Sequence, residues 1–139
     1  MECLFCDFIN KKRTSHGNGL PFLPIYEDKN ILIFLTDTHN ENQTHHLLVI
    51  PKKHIESIEN IPLKLRNKLL EKVIDSTKIL KKIYGGAHIL LNDGELADQC
   101  IPHVHFHIIP KIIEKKNPWK NMGEAKFREI TNKLKKEFK

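Results

Sequence analysis

Short apolar runs bounded by turn-forming residues mark the first third of the chain. Two of them, residues 24–27 and 31–35, flank an Asp-Lys-Asn segment at 28–30 whose residue types favour a turn. A third run extends roughly from His45 to Pro51, after a polar stretch. This pattern predicts a β-hairpin followed by a third strand.

A helical period replaces the strand pattern in the middle of the chain. Asn60 is predicted as the N-cap, Pro62 falls near the first helical position, and the glycine pair 85–86 ends the helix. Apolar residues recur at helical spacing and leave the lysines on the opposite face. The positions predicted to face the core are Leu65, Leu69, Leu70, Val73, Ile74, Thr77, Leu80 and Tyr84. A second amphipathic helix is predicted from about residue 124 and is marked by Phe127, Ile130, Leu134 and Phe138.

Two further strands are predicted over residues 87–92 and 103–109, with a polar, glycine-containing loop between them. Successive side chains of a strand point to opposite faces, so the alternation in the second strand separates two sets of residues. One face carries His103, His105 and His107, and the core-facing side carries Val104, Phe106 and Ile108. The whole pattern predicts an α+β fold in a single domain over residues 1–139. It comprises an antiparallel sheet of about five strands, one long helix packed on it and a C-terminal helix.

Three imidazoles on one face of a core-backed strand indicate a metal site or a phosphate site rather than packing. Three histidines can form a zinc facet. A neutral imidazole is also a competent nucleophile, and the polar loop before the strand suits an approaching phosphate. Spacing alone leaves both interpretations open.

The composition and the lengths of the apolar runs indicate the cellular compartment that we expect for the protein. With 40% hydrophobic residues among 139, the chain can bury a core without help from a metal or a disulfide. No apolar run is long enough to span a bilayer and no signal-peptide pattern opens the chain, so we expect a cytoplasmic protein with no membrane association. Three cysteines do not suggest a secreted disulfide framework. Cys3 and Cys6 form a CxxC, which indicates half a metal site or a redox pair.

The formal net charge of +6 is unevenly placed. Residues 111–139, a basic C-terminal extension, contain ten basic and four acidic side chains, whereas residues 1–110 contain thirteen of each. Such a segment can contact nucleic acid. It has no regular interleaving of arginine and aromatic residues, so we interpret it as a solvated, lysine-rich helix face and do not predict nucleic-acid binding.

The segment from Asn92 to Pro110 closely resembles the signature of the histidine-triad (HIT) family, in which His-x-His-x-His is preceded by Asn-x-Gly and a Gln. Three other parts resemble the family in the same order. Residues 3–9 are similar to the zinc-binding opening of many bacterial members, residues 25–35 to its first hairpin, and residues 48–54 to its next strand and turn. The resemblance covers most of the chain and favours the phosphate interpretation.

The resemblance implies that the middle histidine, His105, attacks an α-phosphate and forms a covalent nucleotidyl-histidine that water hydrolyses. It further implies that His107 contacts the phosphoryl oxygens and that Gln99 meets the phosphate or the leaving group. Asn92 would hydrogen-bond near the nucleophile, and Gly94 would let the backbone approach the phosphate. Transferase relatives carry Gln at the third triad position, so a histidine there favours the hydrolase branch.

Three positions depart from the family pattern. Asp37 is the expected ligand of the ribose hydroxyls, but Thr36 separates it from the Phe-Leu pair that the acid usually follows. Cys100, which would meet the phosphate, stands where relatives carry Ser or Thr, and a thiol is a weaker donor. Asp98 replaces a small residue, and a carboxylate there would repel a polyanionic substrate unless it points away.

In zinc-bearing relatives, the CxxC is completed by the histidine of a Pro-Lys-x-His turn and by the first triad histidine. The resemblance therefore implies a zinc site made by Cys3, Cys6, His54 and His103. Four protein ligands leave no open position on tetrahedral zinc, so this site is expected to be structural. His45 or His46 could replace the turn histidine.

These implications lead to one expected function and two alternatives. The expected function is hydrolysis of purine nucleotides of the adenosine phosphoramidate type, by a homodimer in which the long helix and a neighbouring strand pair across a two-fold axis. The alternative substrate is a diadenosine polyphosphate, cleaved by the same residues. An alternative of another class is a non-catalytic adaptor that binds nucleotide or zinc.

Overall fold

The structure is a computed structural model, and it describes residues 2–17, 19–36, 46–110 and 123–138. The strands are β1 (Pro24–Glu27), β2 (Ile31–Leu35), β3 (Leu47–Pro51), β4 (His88–Leu91) and β5 (Phe106–Ile109). The helices are α1 (Leu4–Ile9), α2 (Leu63–Tyr84) and α3 (Glu124–Glu137), and short 3-10 turns cover Ile58–Asn60 and Glu95–Ala97. In these described ranges, no helix combines the length and apolarity needed to cross a membrane.

The strands form one antiparallel sheet in the order β1-β2-β3-β5-β4, which confirms the predicted α+β architecture. β3 lies between β2 and β5, and its Leu48 is opposite Phe34 on one side and His107 on the other. The strand that carries the third triad histidine is therefore an inner strand, while β4 is an edge strand within the part of the chain that the structure describes.

Alternation along the strands gives the sheet two different faces. The helix face is packed by α2 and α3, and its core includes Ile31, Ile33, Leu35, Leu47, Val49, Val104, Ile108, Leu69, Val73, Leu80, Phe127, Ile130 and Leu134. The opposite face, here called the histidine face, carries a smaller cluster of Leu32, Phe34, Leu48 and Ile50 with Cys3, Phe5 and Phe8 from the α1 segment. The sheet therefore separates a large aliphatic core from a smaller, more aromatic one.

The ends of α2 follow the sequence signals only in part. The prediction of Asn60 as N-cap is wrong, because that residue lies in the preceding 3-10 turn and Pro62 is the N-cap. Pro62 is extended, with φ −58° and ψ 145°, and the helix begins at the next residue. At the other end the prediction is confirmed: Gly85 has φ +85°, a left-handed conformation that glycine adopts readily, and its N–H bonds to Lys81 O.

The buried line of α2 is narrower than predicted. It consists of Leu69, Val73, Ser76 and Leu80. Leu70 and Ile74, predicted to face the core, are 57% and 49% exposed, because each lies one residue, or about 100° of helix rotation, beyond the buried line. Ser76 is buried instead, and its hydroxyl donates to Lys72 O at 2.8 Å, which offsets the cost of burying it.

Two local features differ from the sequence-based picture near the histidines. The CxxC segment forms a short helix, α1, capped by the Cys3 thiol, which accepts from the Cys6 N–H at 3.4 Å. The strand predicted from residue 103 begins at Phe106, because the Val104 N–H bonds to Ile55 O instead of a strand partner. The predicted alternation of faces nevertheless continues through this segment, with Val104 in the helix-face core.

Candidate active site and metal site

The middle triad histidine, His105, is held in a single tautomer on the histidine face. Its Nδ1 lies 2.7 Å from His103 O, and since a carbonyl only accepts, Nδ1 must carry the proton. The lone pair is then on Nε2. Burial lowers the pKa of His105 below its ordinary value of 6.5, so the ring is neutral at pH 7. A neutral imidazole with a fixed, unprotonated Nε2 is suited to nucleophilic attack.

The third triad histidine, His107, forms a pair with His46. Nε2 of His46 lies 2.9 Å from Nδ1 of His107, and the rings of His105 and His107 are 4.9 Å apart between centroids. Burial lowers the pKa of His46 to about 3, with the nearby charge of His107 adding to the effect. Burial, together with His105, lowers the pKa of His107 to about 4. Among the described residues, Nε2 of His107 is buried without a hydrogen-bond partner, so this nitrogen can serve a bound ligand.

His46 is the member of this group that the sequence analysis did not place. It was considered there only as a substitute zinc ligand. The signal that could have located it is the alternation of β3, because His46 precedes Leu48 by two residues and therefore points to the same histidine face.

The loop that precedes the triad brings together several predicted phosphate residues. Gly94 has φ +98°, a conformation that a side chain would strain, and its N–H donates to Oε1 of Gln99 at 2.7 Å. The amide nitrogen of Gln99 donates to Glu56 O and Ile101 O. Gln99 therefore holds the loop through its amide group.

The remaining predicted contacts lie around the same loop. Asn92 is half-buried directly after β4, and Cys100 is exposed, with its thiol 3.5 Å from Asp98 O. Asp98 itself has φ +66°, a left-handed conformation that Asp tolerates better than most residues. Asp37, the predicted ribose ligand, lies outside the described residues.

A concave region of about 480 Å³ opens beside this loop. Its lining residues are Glu56, Gly94, Glu95, Asp98, Gln99, Cys100 and Pro102. Three of them are carboxylates, and none of these lining residues is basic. The region therefore carries a negative potential that opposes a polyanion and favours a neutral or cationic group.

The four predicted metal ligands meet at one point on the histidine face. Ligand atoms of Cys3, Cys6, His54 and His103 all lie within 4.8 Å of one another. The Cys6 thiol is 3.2 Å from Nδ1 of His54 and 3.6 Å from Nδ1 of His103, and the Cys3 thiol is 3.5 Å from the latter. Among the described residues, His54 is therefore the turn histidine at this cluster, while His46 bonds to His107. His45 lies outside the described residues.

The donor set fits a tetrahedral metal. With zinc–sulfur and zinc–nitrogen bonds of about 2.3 and about 2.0 Å, two ligands on one tetrahedral zinc lie about 3.5 Å apart, which is the spacing between these thiols and imidazoles. Nε2 of His103 donates to Pro51 O at 2.7 Å and thereby leaves its Nδ1 lone pair for a metal. Burial and the neighbouring Cys3 raise the pKa of the Cys6 thiol to about 11, so two thiolates here need a cation between them.

Comparison with known proteins places the chain among similar sequences and structures. The family model described as HIT domain matches residues 21–113, which include all five strands and all three triad histidines. A HIT-like protein of Methanocaldococcus jannaschii is 36% identical over 132 residues, 94% of this chain and 90% of that protein. An adenosine 5'-monophosphoramidase of Candida albicans is 33% identical over 116 residues, 79% of this chain and 70% of that protein.

Among solved structures, a zinc-bound histidine triad family protein from Mycobacterium smegmatis matches with a TM-score of 0.73 at 25% identity. The match covers 98% of this chain and 95% of that one. The likeness therefore extends beyond the triad to the complete fold.

Proposed function

This chain belongs to the HIT-domain family, and from that membership we propose that it hydrolyses nucleoside phosphoramidates of the adenosine monophosphoramidate type, with His105 as the nucleophile. The observation that carries the proposal is the hydrogen bond from Nδ1 of His105 to His103 O, which leaves Nε2 unprotonated. The phosphoramidase name of the Candida albicans relative supports the choice of substrate.

The proposed reaction has two displacements. Nε2 of His105 attacks the α-phosphorus, the P–N bond breaks, and the leaving amine takes the electron pair of that bond and a proton from solvent. Water then attacks the same phosphorus and loses a proton to solvent, the bond between phosphorus and Nε2 breaks, and the nucleoside monophosphate is released with Nε2 free again. Dividing one difficult displacement into two easier ones is the advantage of a covalent intermediate.

The other site residues in this scheme bind the substrate or orient the side chains that contact it. Nε2 of His107 contacts a phosphoryl oxygen, and His46 fixes the orientation of that ring through the 2.9 Å bond to Nδ1. Gly94, Gln99 and the backbone at Cys100 shape the phosphate side, and Asn92 bonds near the nucleophile. We retain Asp37 as the proposed ribose ligand.

The acidic concave region favours a phosphoramidate over a diadenosine polyphosphate. Glu56, Glu95 and Asp98 line the side of the loop at Cys100, where we propose that the leaving group lies. A polyphosphate leaving group carries several negative charges and is repelled there, whereas an amine is neutral or cationic.

We further propose that zinc occupies the Cys3, Cys6, His54 and His103 cluster as a structural ion. The zinc-bound Mycobacterium smegmatis neighbour supports this assignment. Four protein ligands fill every position of a tetrahedral zinc ion. When bound, the ion would cross-link the N-terminal segment to the sheet.

Exposed apolar side chains at the sheet edge support a homodimer. In β4, Ile89 and Leu90 are 53% and 45% exposed, and the neighbouring helix α2 exposes Leu70 and Ile74. An edge strand offers unpaired backbone groups, and antiparallel pairing with a second copy would cover both features. Sedimentation equilibrium of the intact chain tests this; a single monomeric species across the concentration range would contradict it.

The proposed function is tested by comparing kcat/KM for adenosine monophosphoramidate and for a diadenosine polyphosphate, with His105→Ala as the variant. We expect preference for the phosphoramidate, loss of turnover in His105→Ala, and retained binding of AMP by calorimetry. A clear preference for the polyphosphate would contradict the phosphoramidate proposal and identify the diadenosine polyphosphate as the preferred substrate. Binding of AMP without turnover of either substrate by the wild-type protein would instead favour the non-catalytic adaptor.

A further inference from the structure

Phe5 lies between the two cysteines of the CxxC and also touches the nucleophile. We propose that Phe5 is a positioning residue for His105, and that the metal site, by fastening α1, keeps Phe5 in place. This inference rests on the proposed role of His105 as nucleophile. It makes the N-terminal segment part of the catalytic machinery, whereas the metal assignment alone makes it a structural attachment.

The contacts of Phe5 support this role. Its ring is 4% exposed and meets the imidazole of His105 edge-on, with centroids 5.1 Å apart and planes at 80°. It meets the imidazole of His103 in the same manner at 5.8 Å, and the ring of Phe34 at 5.5 Å. One side chain of α1 therefore packs against both the metal-ligand histidine and the nucleophile, and it is supported from the sheet by an aromatic ring.

A hydrogen bond and ring contacts on two sides, from His107 and from Phe5, restrain the His105 ring. The hydrogen bond from Nδ1 to His103 O selects the tautomer, but a single hydrogen bond permits the ring to pivot about it. The Phe5 ring limits that pivot by steric contact. Since nucleophilic displacement needs Nε2 aligned with the phosphorus, a small rotation of the imidazole lowers the fraction of productive complexes.

The position of Phe5 depends on the cysteines. α1 has six residues, and an isolated helix of this length is unstable in water. Cys3 caps it and Cys6 is its third residue, so a metal bound to both thiols would close a ring that contains Leu4 and Phe5. Loss of either thiol–metal bond would release the segment that carries the Phe5 ring.

Phe8 provides a matched comparison within the same helix. It is also buried, at 3% exposed, and it packs against Phe22 and Phe34. Its ring contacts within the described residues are with His16, Phe22 and Phe34 and do not include His103 or His105. Phe8→Leu therefore removes a buried ring from α1 while leaving in place both the contact between Phe5 and His105 and the cysteines that fasten the segment.

The test uses the full-length, zinc-loaded protein and its Phe5→Leu and Phe8→Leu variants. Zinc content is measured first, then the ring ¹⁵N chemical shifts of His105, which report its tautomer and mobility, and finally kcat and KM. For Phe5→Leu we expect unchanged zinc content, a mixed or broadened His105 signal, and a kcat lowered roughly tenfold with little change in KM. For Phe8→Leu we expect the wild-type His105 signal and an unchanged kcat.

A second arm tests the metal. Removal of zinc with a chelator should broaden the His105 signal of the wild-type protein, and addition of Zn²⁺ should restore it. A wild-type His105 signal in Phe5→Leu, or equal kcat losses in the two variants, overturns the positioning role. An unchanged His105 signal after chelation overturns the role of the metal. Because the ¹⁵N signals are read without substrate, they remain decisive even if the wild-type protein turns over no phosphoramidate.

Discussion

The two faces of the sheet are built from the same strands but packed very differently. The helix face is covered by α2 and α3 with aliphatic side chains that are almost completely buried. The histidine face is covered by the six-residue α1, and its buried groups include imidazoles and the Cys3 thiol as well as phenyl rings. One face is therefore packed for stability, while the other carries the groups that we propose bind and react, and it is held by a few specific contacts.

Adjacent residues of the triad segment allow the two faces to be tested separately. Val104 and His105 are 1% and 5% exposed but point to opposite faces. We expect His105→Ala to lower kcat at least about a thousandfold, because the proposed nucleophile is lost. Val104→Ala should leave kcat per folded molecule unchanged and lower the free energy of unfolding by about 1–3 kcal/mol. Urea unfolding and steady-state kinetics of both variants check the division; a kcat loss in Val104→Ala of the same size would contradict it.

The helix face can be tested with a single leucine. Leu69 is 2% exposed and points into the large core. Leu69→Ala removes buried methyl groups and leaves a cavity, so the free energy of unfolding should fall by about 2–5 kcal/mol, measured by urea denaturation. A fall below about 1 kcal/mol would show that the helix face does not supply the main stability.

Lowering the pH should reduce the free energy of unfolding through the buried imidazoles of the histidine face. His46 and His107 have folded-state pKa values of about 3 and about 4, below the ordinary value of 6.5, so below pH 6.5 the unfolded chain binds more protons than the folded protein. Each group therefore lowers the free energy of unfolding as pH falls from about 6.5, by at most about 1.4 kcal/mol per pH unit, until the pH reaches its folded pKa. His46→Gln should reduce this slope relative to wild type, measured by urea unfolding of zinc-free protein; an equal slope would exclude His46 as a contributor.

The smallest effect is expected at Leu70, the neighbour of the buried leucine. It is 57% exposed, so Leu70→Ala should change the free energy of unfolding of the monomer by less than about 0.5 kcal/mol. In the proposed dimer the same change removes an interface side chain, so sedimentation should show weaker association. If association is unaffected, Leu70 lies outside the dimer interface.

Sequence patterns predicted the elements whose signals are local. The hairpin, α2 with its glycine end and α3 follow from period and capping, and the triad alternation placed Val104 and His105 on the correct faces. The prediction for Leu70 and Ile74 is wrong, because an apolar pattern around a helix does not show how wide a stripe the sheet can cover.

The candidate site was predictable where the resemblance supplied a motif and not where contacts are made across strands. The two cysteines, Cys3 and Cys6, are far in sequence from His54 and from His103. Only the family pattern suggested that these four side chains meet. The pairing of His46 with His107 depends on the register of β3 against β5, and no local sequence pattern determines that register. The contact between Phe5 and His105 depends on how α1 docks, and a CxxC motif contains no signal for that.

His103 makes one set of contacts through its side chain and another through its backbone, and amino-acid substitution can separate the two. Its side chain faces the thiols through Nδ1 and Pro51 through Nε2, and these contacts require an imidazole. Its backbone oxygen holds the tautomer of His105, and every amino acid supplies such an oxygen. A lineage that lost the two cysteines could therefore replace the first histidine of the triad by drift without losing the hydrogen bond that prepares the second.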